Sequence, residues 1–373
     1  MRVLLLGGYG NFGTRIAQEL ARDAAIDLVL AGRDADAAQR LAAQLRVQGR
    51  ARVDAVALDV DHADLGASFV ELAPDLVIHA CGPFQGHDYR VAQAALDAAA
   101  HYIDLADARD FVTGITALGA HARHCRRLAV SGASSVPGLS AAVIDRYAGE
   151  FARLSDIDIG ISPGNRTPRG TATVAAILSY VGQPMPAWHG GKRHVVTGWQ
   201  GLHRHRYPQP VGTRWLSHCD VPDLDLFPVR HRGLQNLRFA AGLEIGLLHV
   251  ALWLLSWPVR WRLLPRLDRW TVALKRMSEW FLARGSDAGA MHVRLSGTAT
   301  DGRPLCLTWT LIAASGHGLQ VPATAAVVLA RKLAHAELTT TGAMPCLDRF
   351  TVDEFLEALG DYDIRTQVQR EHG

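Results

Sequence analysis

Apolar residues recur in two rhythms along the first 150 positions. Residues 2–8 read Arg-Val-Leu-Leu-Leu-Gly-Gly, an unbroken apolar run stopped by glycine, as in a strand buried on both faces. Residues 12–23 then place Phe12, Ile16, Ala17, Leu20 and Ala21 at helical spacing. The alternation continues, with strands predicted at 27–31, 53–58, 76–80, 102–105 and 128–131 and helices at 35–48, 89–100 and 114–127. Strands alternating with helices predict an α/β fold, a Rossmann-type doubly wound parallel sheet.

The rhythm changes near Glu150. Residues 157–161 alternate polar and apolar, and 194–197, 291–296 and 305–312 also read as strands. The last two flank Asp301-Gly302, a turn pair that predicts a hairpin. A second domain of α+β type with an antiparallel sheet is expected. Residues 163–236, rich in Pro, His and Arg, show no clear period. Helical spacing returns at 324–336, and Thr351 with Asp353 signals the start of a last helix at 352–359. The expected domains are 1–150 and 151–321, followed by a C-terminal helical stretch at 322–373.

Composition sharpens that boundary. Residues 1–150 carry 14 basic and 18 acidic side chains, whereas 151–330 carry 20 basic and 10 acidic. All nine tryptophans lie between Trp188 and Trp309. A basic, Trp-rich segment suits nucleic acid, anionic lipid or an acidic ligand, and equally a solvated arginine-rich face. No nucleic-acid recognition motif accompanies it, so nucleic acid is not expected as a partner. The five cysteines are odd in number, widely spaced and without a Cys-x-x-Cys pair. They read as free thiols of a reducing cytoplasm, not as a disulfide framework or zinc ribbon. Only four apolar residues follow Arg2 before the glycines, too few for an export signal. His203, His205, His218 and Cys219 lie close in sequence, but their spacing supplies no tetrahedral set, and no metal is expected.

The chemistry centres on Gly7-Gly8-Tyr9-Gly10-Asn11-Phe12-Gly13. Such a loop turns tightly off a strand, lets backbone touch pyrophosphate, and opens a helix whose N-terminal amides face phosphate. Its place after a predicted strand and before a predicted helix is the context the motif requires. Arg33 lies 20 residues after Gly13, where an NAD enzyme carries Asp or Glu. A guanidinium there suits the 2′-phosphate of NADP, so NADP is expected over NAD, although Asp34 follows directly. Later strand ends add Asp59, placed to bond adenine or to close a turn, and Cys81-Gly82-Pro83, which makes room for the nicotinamide end. Asp104 and Asp107 end the fifth predicted strand and are expected to face the cleft as proton-handling groups, with Tyr102 and His87 as further candidates. No Tyr-x-x-x-Lys pair or Gly-x-Ser-x-Gly elbow is suitably placed.

Several of these features together resemble the saccharopine dehydrogenase-like oxidoreductases. They are the Gly-Gly-Tyr-Gly-x-x-Gly start, Ala31-Gly32-Arg33, Asp59-Val60, Ala80-Cys81-Gly82-Pro83-Phe84, Tyr102-Ile103-Asp104-Leu105-Ala106-Asp107 and Val136-Pro137-Gly138-Leu139. The resemblance covers about residues 1–145 and returns at 322–360. It implies that Gly8, Gly10, Phe12, Gly13, Arg33, Asp59, Cys81, Gly82 and Pro83 line an NADP site. It also implies that the C-terminal helices rejoin the Rossmann domain. The expected activity is NADP(H)-dependent hydride transfer to or from a small-molecule or lipid-like substrate. The alternative is a non-catalytic NADP(H)-binding scaffold or redox sensor attached to a membrane surface.

The middle segment departs from the extended polar pocket that an amino-acid reductase of this type is expected to carry. Residues 245–259 are uncharged, too few to span a bilayer, and Pro258 is expected to end their helix early. Trp253, Trp257 and Trp261 recur every four residues, with Arg260, Arg262, Arg266 and Arg269 just beyond. Residues 245–264 therefore fit four settings: peripheral contact with anionic lipid, the wall of a lipophilic pocket, a homodimer interface, or a buried helix of the core. The first would place a cytoplasmic protein at the inner face of a membrane.

Overall fold

The computed structural model describes residues 1–372. The strands, in chain order, are β1 (Arg2–Leu6), β2 (Asp27–Gly32), β3 (Arg52–Ala57), β4 (Leu76–His79), β5 (His101–Asp104) and β6 (Leu128–Ser131). There follow β7 (Phe151–Ser162), β8 (Pro184–His189), β9 (Lys192–Thr197), β10 (His203–Arg206), β11 (Thr213–His218) and β12 (Asn236–Ala241). The last four are β13 (Gly289–Ala299), β14 (Pro304–Ala313), β15 (Gly342–Pro345) and β16 (Ile364–His372).

Two compact units result. One comprises Met1–Leu139 with Leu319–Leu359, the other Ser140–Gly318 with Gly360–Gly373. The first holds a seven-stranded sheet in the order β15-β6-β5-β4-β1-β2-β3, every pair parallel. Leu4, Leu6, Val29, Ala31, Val77 and Tyr102 are buried in its core, which explains why these strands read as continuous apolar runs. Strand order reverses between β1 and β4, and ligands of such sheets bind at the carboxyl end of that crossing.

The second unit is built on a nine-stranded sheet in the order β10-β11-β12-β7-β13-β14-β16, with the β8–β9 hairpin attached to β12. The expected hairpin forms between β13 and β14. The sheet is mixed where antiparallel pairing was expected throughout, because β7 and β12 run parallel.

The unit boundaries differ from those expected. The helix Ser140–Ala148 packs on β7 and β13, so the second unit begins ten residues before 150. The C-terminal stretch divides. The helices Gln320–Ala334 and Val352–Glu357 belong to the first unit, but the chain ends as β16, hydrogen-bonded along β14 in the second. The last helix starts where Thr351 predicted, with Thr351 and Glu354 forming a reciprocal capping box.

The apolar segment forms the helix Gly246–Arg260, with Pro258 inside its last turn rather than ending it. Arg262 follows at φ 58°, while the Arg262 and Leu263 amides donate to the Val259 and Pro258 carbonyls. This pairing closes the helix in the manner usually left to glycine. No helix among the described residues is long and apolar enough to cross a membrane.

Candidate functional site

The glycine loop leaves β1 at the strand-order reversal. Gly7 sits at φ 75°, and its amide and that of Gly8 donate to the Ala31 carbonyl at 2.8 and 3.2 Å, tying the loop to the end of β2. The Gly10 amide donates to Gly7 O at 2.9 Å and closes the turn. A Cβ on Gly13 would lie 2.0 Å from Gly7 O, so only glycine lets the next helix come this close. That helix, Asn11–Leu20, begins with Gly10 as its N-cap, which brings no capping side chain to the first-turn amides. Asn11 and Phe12, both half-buried, form that turn. The loop is a backbone cradle at the positive end of a helix dipole, fitting pyrophosphate.

The end of β2 sets the charge beside the cradle. Asp34 Oδ1 accepts from the Ala37 amide at 2.9 Å, so this carboxylate caps the helix Ala35–Gln48. Arg33 is exposed and has no acidic partner among the described residues. Its charge acts on the Cys81 thiol, which places it on the same side as β4's exit.

Asp59 Oδ1 accepts from the Asp61 amide at 3.1 Å, which closes the turn after β3. It also acts electrostatically on Cys81. Burial pushes the Cys81 thiol up to about 12 despite the attraction of Arg33, so the group stays a neutral thiol. Gly82 is exposed and Pro83 half-buried, and Phe84 turns into the core.

The two aspartates after β5 part company. Asp104 was expected to face the cleft, but it is fully buried. Its Oδ1 accepts from Ala106 N (2.9 Å), Gly132 N (2.8 Å) and Ser131 Oγ (2.9 Å). This carboxylate pins the loop after β6 to the end of β5. Burial raises it to about 6, with those hydrogen bonds opposing the shift. Asp107 reaches solvent, and Gln85 Nε2 donates to its Oδ1 at 3.2 Å. Enough protein surrounds it that desolvation raises its pKa, while the Gln85 bond works the other way. Tyr102 is buried and His87 exposed.

One residue escaped the sequence reading. His79, at the end of β4, is buried with Nδ1 3.0 Å from the Tyr102 hydroxyl and edge-on to Phe84 at 5.0 Å. Burial lowers it to about 3, with the His87 charge adding to the effect, so the imidazole is neutral. The only signal was a histidine ending the run Leu-Val-Ile-His.

The second unit has a polar cluster of its own. His292 on β13 stacks on His205 of β10 at 3.7 Å and 5°, and its Nδ1 lies 2.9 Å from the Tyr207 hydroxyl. Beside it, Asp158 takes two hydrogen bonds from Arg238, at 2.8 and 2.5 Å. Burial lowers His292 to about 3 and also lowers His205, so two neutral rings stack without charge repulsion. His203 and His218 occupy the neighbouring strands β10 and β11. Among the described residues no group of three His, Cys, Asp or Glu is arranged to hold a metal.

Residues 3–130 match the family described as the saccharopine dehydrogenase NADP binding domain. Among solved structures, apo saccharopine dehydrogenase (L-Glu forming) from Saccharomyces cerevisiae is similar over 99% of this chain and 99% of that one, at 14% identity and a TM-score of 0.72. An amine dehydrogenase from Mycobacterium smegmatis is similar over 94% and 95%, at 10% identity and a TM-score of 0.49. The first of these likenesses establishes the fold over the whole chain. No curated protein sequence matches.

Proposed function

We propose that this chain, whose residues 3–130 match the saccharopine dehydrogenase NADP binding domain, is an NADP(H)-dependent oxidoreductase acting on a small-molecule or lipid-like substrate. The observation that carries the cofactor choice is the division of labour at the end of β2. Asp34 spends its carboxylate on a helix cap, and Arg33 beside it is left for an anion.

The nicotinamide supplies or accepts the hydride when bound. The chain's own residues bind and orient. Gly7, Gly8, Gly10 and Gly13 bring backbone to the pyrophosphate, with the first turn at Asn11 and Phe12 directing its amides the same way. Arg33 holds the 2′-phosphate. Asp59 borders the adenosine side, and Cys81, Gly82 and Pro83 border the nicotinamide side, where the high thiol pKa keeps Cys81 from acting as a nucleophile. Asp107, oriented by Gln85 and with its pKa raised by desolvation, holds or releases the proton that accompanies the hydride.

The test is NADPH oxidation by the purified chain across imines, carbonyls and enoyl thioesters, run beside NADPH titration. Turnover with any class that is lost in Asp107→Asn supports this reading. Tight NADPH binding without turnover on any class supports a cofactor-binding scaffold or sensor instead.

A further inference from the structure

The helix Gly246–Arg260 packs one side into the second unit's core, where Leu252, Trp253 and Leu255 join Val181, Trp199 and Leu267. Its opposite side carries Leu247, Ala251, Leu254 and, one residue beyond the helix, Trp261. These positions follow the 3.6-residue period, so they form one stripe. All four are exposed, Leu247 at 64% and Trp261 at 61%. The next helix, Thr271–Glu279, and its flanks add exposed Trp270, Val272, Met277 and Trp280, the last 78% exposed. Nine of the large apolar residues exposed on the chain fall between Leu247 and Leu282. Scattered single apolar residues are normal on a surface, but a concentration of this kind marks a docking face.

The charge of the same segment identifies the occupant. Residues 246–284 carry seven Lys or Arg and two acidic residues. The two acids are already engaged, Asp268 with Arg266 at 2.9 Å and Glu279 with Lys275 at 2.5 Å. Arg262, Arg269 and Arg276 are exposed and have no acidic partner among the described residues. Arg260, Arg262 and Arg266 line an open groove of about 800 Å³ beside Gln183, Pro184 and Val196. Tryptophan and leucine set among unpaired arginines are what the boundary between lipid headgroups and acyl chains selects. A protein partner able to cover this face would have to be both apolar and strongly acidic, whereas an anionic bilayer has both properties at every point.

We propose that the face formed by residues 246–284 docks on an anionic phospholipid membrane. Leu247, Leu254, Trp261 and Trp280 enter the headgroup region, and Arg262, Arg269 and Arg276 receive lipid phosphates. The chain lies on the membrane and does not cross it, consistent with the absence of a spanning helix among the described residues. This inference is independent of the cofactor reading, because it uses none of the first unit's residues.

The test is cosedimentation of the full chain with vesicles of phosphatidylcholine, with and without phosphatidylglycerol, at low and high salt. The expected result is binding to the mixed vesicles, at least about tenfold weaker to phosphatidylcholine alone and weakened by salt, with a blue shift of tryptophan emission. Leu254→Glu with Trp280→Glu reduces binding about tenfold or more, as does Arg262→Ala with Arg269→Ala and Arg276→Ala. Circular dichroism and the melting temperature check that each variant is folded, and the triple arginine variant keeps the test valid if the Glu variants misfold. Three results each overturn the proposal. One is no binding to the mixed vesicles. Another is binding that the folded variants leave unchanged. The last is a dimer by light scattering that Leu254→Glu converts to monomer, which makes this face a subunit interface.

Discussion

The Tyr9 hydroxyl accepts a hydrogen bond from the backbone amide of Asp34 at 2.8 Å, joining the glycine loop to the end of β2. The ring lies over Gly32, where an added Cβ would stand 2.4 Å from Tyr9 Cε1. One tyrosine thus fixes the pyrophosphate cradle relative to Arg33. Gly32→Ala displaces the ring and is expected to weaken NADPH binding about tenfold. Tyr9→Phe keeps the ring and loses one hydrogen bond, worth about 1 kcal/mol. Fluorescence titration of NADPH into both variants checks the order of the two effects.

Arg33→Ala removes the charged partner proposed for the 2′-phosphate. A charge-assisted hydrogen bond contributes about 1.5–3 kcal/mol. NADPH affinity is therefore expected to fall roughly 10- to 100-fold. NADH has no such phosphate, so its affinity stays within about twofold. Equal losses for the two cofactors would exclude the proposed contact.

Asp104 and Asp107 separate by what their amide variants lose. Asp107→Asn is expected to lower kcat about 10²-fold or more, the scale of one general acid or base, with little change in melting temperature. Asp104→Asn loses acceptor capacity for three donors at the β5–β6 edge, so its expected effect is on stability. Measuring kcat and melting temperature on both variants distinguishes the two roles.

Buried Asp223 controls a pH dependence in the second unit. Its Oδ1 accepts from Ser140 Oγ at 2.5 Å, and burial raises its pKa to about 7, against that bond. Because the folded value lies above the unfolded value near 3.8, the native state binds more protons between them. This carboxyl is therefore favourable to folding at pH 4, and its contribution falls as pH rises to 7. Asp223→Asn, which cannot titrate, is expected to lose less stability than the parent between pH 5 and 8. Thermal melts across that range read the difference.

Tyr207→Phe leaves His292 Nδ1 buried without its partner. The expected cost is about 1–3 kcal/mol of stability. Urea unfolding of the parent and the variant measures it.

The first unit was legible because its strands are buried on both faces. Leu4, Val29 and Val77 have no polar neighbours to blur the run, and Gly7 to Gly13 state their role by spacing. In the second unit only β7, β9, β13 and β14 were legible. Strand β10 reads His-Arg-His-Arg, so its ladder positions carry no apolar period. Asp104 misled for a different reason. A strand end places a side chain near the cleft, but the turn at Gly132, with φ 80°, aims an amide at it from behind and draws the carboxylate inward. Such an approach from a segment 28 residues away leaves no local trace in sequence. His79 was missed because a histidine closing an apolar strand is indistinguishable from a polar strand end until Tyr102 is seen beside it.

The order in which a ribosome delivers this chain gives the β15 edge another consequence. The sheet's outermost strand, Gly342–Pro345, pairs with β6 more than 200 residues after β6 has emerged, with Ser140–Gly318 synthesised in between. Until then β6 presents an open parallel edge, and the helix Gln320–Ala334, which packs on the helix Asn11–Leu20, has not yet been made. The nascent first unit must therefore wait for Leu319–Leu359 to be made before its fold closes. A fragment ending at Leu139 or Glu150 inherits that unfinished edge permanently.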